Sequence, residues 1–223
     1  MRTKIICALL LLTLCGALEM LALPQAAVVV DRIVARVEDD ILTLSELREL
    51  GRFQQLANGT GAQNGVAADD ELLRRLIDQW IVNMEASVAQ FPHPAREDVQ
   101  AEVARLSAQF GSEAAYRARL KELELTPEIV ARHVERQIYL SRFMDYKLRP
   151  TVHVENAAVE TYYREELAPE LKKRGQAVPP LEDVEEQIRE LLTQREISAH
   201  VIKWLDDTRS RLKIDVVEQK KTP

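Results

Sequence analysis

Phe110-Gly111-Ser112-Glu113, then Leu123-Glu124-Leu125-Thr126-Pro127-Glu128, then an apolar-striped run to Leu148 decide how this chain of 223 residues folds. Gly111 ends one helix and Ser112 caps the next. Tyr116, Leu120 and Leu123 then repeat at helical spacing. Thr126 caps again, with Pro127 at the first helical position, where its missing N–H costs nothing. Ile129, Val130, Val134, Ile138, Leu140, Phe143, Met144 and Leu148 give this helix a wide apolar face. Pro150 stops it. Val152-His153-Val154 reads as a short extended piece, and Glu155 to Leu167, with Tyr162-Tyr163, as a brief helix.

Working outward, Val28 to Leu44 carries the clearest strand signal. Ile33, Ala35 and Val37 alternate with Arg32, Val34 and Arg36. Glu38-Asp39-Asp40 turns the chain and Ile41-Leu42 starts a return strand. Thr43-Leu44-Ser45-Glu46 has capping-box spacing, and Leu47, Leu50, Phe53 and Leu56 stripe the helix that follows. Asn58 to Gly65 holds three of the seven glycines and reads as a loop; no Lys-Ser/Thr follows it, so it is no phosphate cradle. Asp69 or Asp70 caps a helix carrying Leu73, Leu76, Ile77, Trp80, Ile81, Met84 and Val88, which Phe91-Pro92-His93-Pro94 breaks. Pro94 opens the next helix, striped by Val99, Val103, Leu106 and Phe110. Beyond a Pro/Gly linker at 168–180, a long helix carries Leu181, Val184, Ile188, Leu191, Ala199, Ile202 and Leu205. Leu212, Ile214 and Val216 then alternate with Lys213 and Asp215, an amphipathic strand before a polar tail at 218–223.

Strands at opposite ends of a helical chain need partners for their backbone groups. The prediction is a mainly α fold, with a small antiparallel sheet in which residues 213–217 pair with the N-terminal hairpin.

Composition narrows the function classes. Arg2 and Lys4 precede a 14-residue apolar stretch, Ile5 to Leu18. That is shorter than the ~20 residues of a membrane span and fits a signal peptide over residues 1–27. A retained signal anchor and acylation at Cys15 are the alternatives. Cys7 and Cys15 both lie in this segment, so a processed chain would have neither disulfide nor thiolate metal site. Without Arg2, Lys4 and Glu19 the chain has 28 basic and 35 acidic residues, a net −7. That balance opposes nucleic-acid binding. His93, His133, His153 and His200 are too scattered for a local metal motif, and no serine sits in a Gly-x-Ser-x-Gly elbow. No catalytic, cofactor-binding or metal-binding residue is singled out.

In order, Asp31 to Thr43, Leu72 to Ala86, Phe110 to Tyr163 and Leu181 to Val217 resemble the successive segments of SurA-like, parvulin-type secreted chaperones. The third match is the strongest, down to its Leu-Thr-Pro-Glu restart and paired tyrosines. The resemblance implies a helical chaperone module over 28–167, with the segment 181–217 folding back on it. In that family one or more isomerase domains separate the two parts; here the linker 168–180 stands in that place. The implied function is an exported, ATP-independent holdase of the periplasm for unfolded envelope or outer-membrane proteins. It would have no cofactor, no nucleic-acid partner and no small-molecule substrate. A divergent peptidyl-prolyl isomerase and a structural subunit of an envelope assembly are the rival readings; dimerisation by exchange of elements is a further implication.

Within this picture Trp80, Phe91, Phe110, Tyr116, Tyr139, Phe143 and Trp204 read first as core. Tyr139-Leu140 and Phe143-Met144 are nevertheless adjacent pairs, and helical neighbours point about 100° apart. A helix apolar over so much of its circumference is either central or partly open in a groove. Tyr139, Phe143 and Met144 are therefore the candidate client-binding residues.

Overall fold

The structure, a computed structural model, describes residues 31–58 and 66–217, without the side chains of 66–69. The expected signal segment, the loop at 59–65 and the tail at 218–223 lie outside the described residues. Strands β1 (Ile33–Val37) and β2 (Asp40–Thr43) form the hairpin. Helices α1 (Leu44–Asn58), α2 (Val66–Val88), α3 (Arg96–Ala108), α4 (Glu113–Glu122) and α5 (Pro127–Leu148) follow. Then come α6 (Asn156–Tyr162), α7 (Ala168–Lys173), α8 (Leu181–Arg209) and β3 (Ile214–Val216).

The protein is mainly helical with a three-stranded antiparallel sheet of order β2-β1-β3. As anticipated, the C-terminal strand lies on the N-terminal hairpin, with Ala35 opposite Val216, Arg36 opposite Asp215 and Val37 opposite Ile214. Glu38 fastens the pair. Its φ of 53° points its N–H at the Lys213 carbonyl (2.9 Å), while its carboxylate accepts the Lys213 N–H (2.7 Å). The simple alternation in β1 fails at one place. An irregularity in the β1–β2 register between Ile33 and Ala35 puts Val34 in the core beside Ala35 and Val37. Such a bulge breaks the two-residue period.

The caps form as their spacing demands. Thr43 Oγ1 accepts the Glu46 N–H (3.3 Å), and the Glu46 carboxylate accepts the Thr43 N–H in return (2.8 Å). Ser112 Oγ accepts from Ala115 N–H and Thr126 Oγ1 from Ile129 N–H. Other boundaries differ. The second helix starts at Val66, ahead of the expected cap at Asp69 or Asp70, through the helix-favouring Ala67-Ala68. Helix α3 starts at Arg96 with Ala95 as its N-cap, so Pro94 lies ahead of the helix rather than in its first turn. Helical structure also runs on into the expected linker. A π-turn at Tyr163–Leu167 widens the backbone just ahead of Pro169, whose ring would clash in a regular helix. Only residues 174–180 there are irregular.

Two apolar cores result. The larger joins β1, α1, α2, the second half of α5 and α8; the smaller joins Phe53 and Leu56 of α1 to Leu106, Tyr116, Leu120 and the first half of α5. Val130 and Val134 serve one, and Tyr139, Phe143 and Leu148 the other. The wide apolar face of α5 is thus that of a central helix. Arg209, at the end of α8, forks onto Asp78 of α2 (2.7 and 3.1 Å), pinning the returning helix to the module.

Candidate functional site: a groove between two long helices

Helices α5 and α8 leave a groove of about 950 Å³ between them. Leu140 and Met144 face it from α5, Ile197 and Val201 from α8, and Tyr146 and Pro150 stand at its edge. Ile197 and Val201 are one turn apart, as are Leu140 and Met144, so each helix contributes one apolar row. Tyr146 is 66% exposed although its ring lies 5.4 Å from that of Phe91.

One end of the groove is braced by charge. The Arg149 guanidinium, just past the end of α5, donates to Asp145 on that helix (2.9 and 3.0 Å) and to both oxygens of Glu190 on α8 (2.8 and 2.9 Å). Gln194 Nε2 donates to Glu190 and Asp145 as well. The hydrogen bonds from Arg149 hold the Asp145 carboxyl below its ordinary range and that of Glu190 down to about 2. The same pair pushes the Arg149 guanidinium further up. The bridge therefore stays ionised throughout neutral and mildly acidic pH and sets the separation of the helices at that end.

Of the three candidate client-binding residues, Met144 alone lines this groove, and it is mostly covered, at 7% exposure. Tyr139 (3%) and Phe143 (2%) lie in the larger core, which corrects their assignment to an open surface. His93 stacks flat on Tyr139 at 4.4 Å, and Phe91 meets Phe143 edge-on at 5.5 Å. The segment Phe91-Pro92-His93, read as a helix breaker, folds over these rings and covers them. Tyr146, Ile197 and Val201 were not singled out from sequence, and Leu140 only as part of the wide apolar face and of an adjacent apolar pair. Tyr146 had a signal, an aromatic residue off the apolar stripe; the α8 residues had none until the crossing of the helices was known.

The histidines are dispersed. His133 is buried, stacked on Phe53 at 4.8 Å, with Nε2 2.8 Å from a Glu49 oxygen that Arg132 also holds. Burial pushes the imidazole below its ordinary value, although Glu49 pulls the other way. Burial would raise Glu49, but the hydrogen bonds from Arg132 and His133 outweigh it and leave the carboxyl lowered. The arrangement fits a neutral imidazole donating from Nε2 to a carboxylate. His93, His153 and His200 meet Glu135, Glu155 and Thr151 respectively. Among the described residues no group of three or more His, Cys, Asp or Glu side chains could hold a metal ion, and no helix is long and apolar enough to cross a membrane.

No family model matches the chain, and no curated protein matches it in sequence.

Proposed function

We propose that the protein is an exported, ATP-independent holdase that takes apolar segments of unfolded envelope or outer-membrane proteins into the groove between α5 and α8. The observation that carries this reading is the groove itself: two apolar rows on helices some fifty residues apart in the chain, linked at one end by the Asp145–Arg149–Glu190 bridge. An extended client segment laid between the rows buries apolar surface at about 25 cal/mol per Å². A polarisable thioether at Met144 adapts to varied side chains. Such burial is non-directional, so it favours breadth over selectivity, and it withdraws unfolded chains from aggregation without an energy source. The order of the four sequence segments that resemble SurA-like chaperones supports the same reading, including the periplasmic location. On this reading the chain carries out no covalent chemistry.

The test is suppression of aggregation, followed by light scattering, for several unrelated unfolded substrates. A holdase reduces scattering for most of them near equimolar ratio. Failure with all of them refutes the proposal. A single tight stoichiometric partner in a pull-down, with no effect on scattering, would favour an assembly subunit instead.

A further inference from the structure

Arg32, Arg48 and Arg52 stand around a second cavity of about 550 Å³, floored by Leu44, Leu47 and Leu72. Among the described residues it shares no lining residue with the groove between α5 and α8. Arg48 and Arg52 lie one turn apart on α1, a like-charge spacing that destabilises a helix. The Arg32 carbonyl accepts the Leu44 N–H at 2.7 Å, which sets Arg32 beside the first turn of the same helix. Three guanidinium groups thus follow one another along one side of α1, in a chain whose net charge is −6.

The carboxylates of that helix are committed elsewhere. Glu46 closes the Thr43 cap, and Glu49 is held by Arg132 and His133. Among the described residues Glu124 is the one carboxylate lining the cavity, and it reaches Arg52 at 2.7 Å. It does so from a left-handed turn, φ 52°, that a residue with a side chain seldom adopts. Among the described residues, Arg32 and Arg48 have no ion-pair partner, and both are exposed at the cavity mouth. The floor is closely packed: a Cβ at Gly51 would meet Leu72 Cδ2 at 3.0 Å.

We propose that this cavity binds a carboxylate carried on an apolar stem. The oxygens would bridge Arg32 and Arg48, whose planar forks match a carboxylate, while the stem covers Leu44 and Leu72. A bare, fully hydrated anion would gain nothing from that floor. The free C-terminus of an apolar peptide and a fatty acid share this chemistry.

Calorimetric titration of the purified protein separates the cases, with an apolar hexapeptide bearing a free C-terminus, its amidated form, octanoate and inorganic phosphate as probes. The expected result is binding of at least one of the two stemmed carboxylates, weakened about tenfold or more by Arg48→Gln or Arg32→Gln. Arg96→Gln, at the start of α3, should leave binding unchanged. Binding of the peptide acid alone identifies a chain end as the ligand; binding of octanoate alone identifies a lipid acid. The proposal is overturned if the amide binds as tightly as the acid, if phosphate binds as tightly as either stemmed carboxylate, if no carboxylate binds, or if neither arginine substitution weakens binding. Melting curves of the two exposed-arginine variants show that they are folded. Aggregation is not read in this experiment, so its outcome is independent of the holdase reading.

Discussion

Replacing Phe143 by alanine and Tyr146 by serine separates a core residue from a groove residue three positions away. Phe143 is 2% exposed, meets Phe91 edge-on and lies 5.6 Å under the Lys147 ammonium. Truncating it removes a buried ring and leaves a cavity that neighbouring helices only partly close, a loss of about 3–5 kcal/mol. For a chain of this size that lowers the melting temperature by roughly 6–20 °C at ~2–4 °C per kcal/mol. Tyr146 is 66% exposed and loses mainly its contact with Phe91, about 0.5–1.5 kcal/mol. Thermal or urea denaturation and aggregation suppression are measured on both variants. Tyr146→Ser should retain its melting temperature to within a few degrees and lose suppression; Phe143→Ala should lose stability first. An unchanged melting temperature for Phe143→Ala would refute its placement in the core and return it to the candidate surface.

Deleting the chain from Leu212 removes the Glu38–Lys213 clasp, the Val217–Val34 hydrogen bond and the packing of Leu212 and Ile214, for a loss of about 3–5 kcal/mol in urea denaturation; equal midpoints would show that β3 does not hold the hairpin. Thr126→Ala removes the α5 cap and should cost about 1 kcal/mol, with Thr126→Ser restoring most of it. His133 has a folded pKa below its ordinary 6.5, so the unfolded chain takes up the proton first as pH falls. Its contribution is therefore present above pH 6.5 and lost below it; Glu49, lowered from 4.5, is lost further down. Urea midpoints between pH 7 and 5 should fall less steeply in His133→Gln than in the parent, and parallel slopes would exclude His133 as a source of the pH dependence.

The elements legible in the sequence were those governed by local chemistry. Thr43-x-x-Glu46, Ser112 and Thr126-Pro127 announce helix starts because a cap is completed within four residues. The alternation of Leu212, Ile214 and Val216 called for a partner strand, and the hairpin at the other end was the available one. What stayed hidden depends on non-local packing. Periodicity shows that α5 is apolar around much of its girth, but not that two separate cores use its two halves. Val88 and Ile202 sit on their helical stripes yet are 78% and 64% exposed, because among the described residues no neighbouring element covers them. In α8 the covered face runs through Ile188, Ile197, Leu205 and Thr208, with Val201 partly covered, a course set by where α2, α5 and α6 meet it. The groove was unreadable for the same reason: its two rows lie some fifty residues apart.

The sheet that joins β1 and β2 to β3 also fixes an order of events during synthesis. Glu38 and Lys213 are 175 residues apart. At translation rates of about 5–20 residues per second, β1 waits roughly 9–35 s for the strand that will cover its outer edge. Through that interval the hairpin presents Ile33-Val34-Ala35-Arg36-Val37 with unpaired amides along one side, while the helices between can already form from nearby contacts. A molecule whose proposed work is to shield unfinished chains is itself, until β3 arrives, an unfinished chain with an open edge.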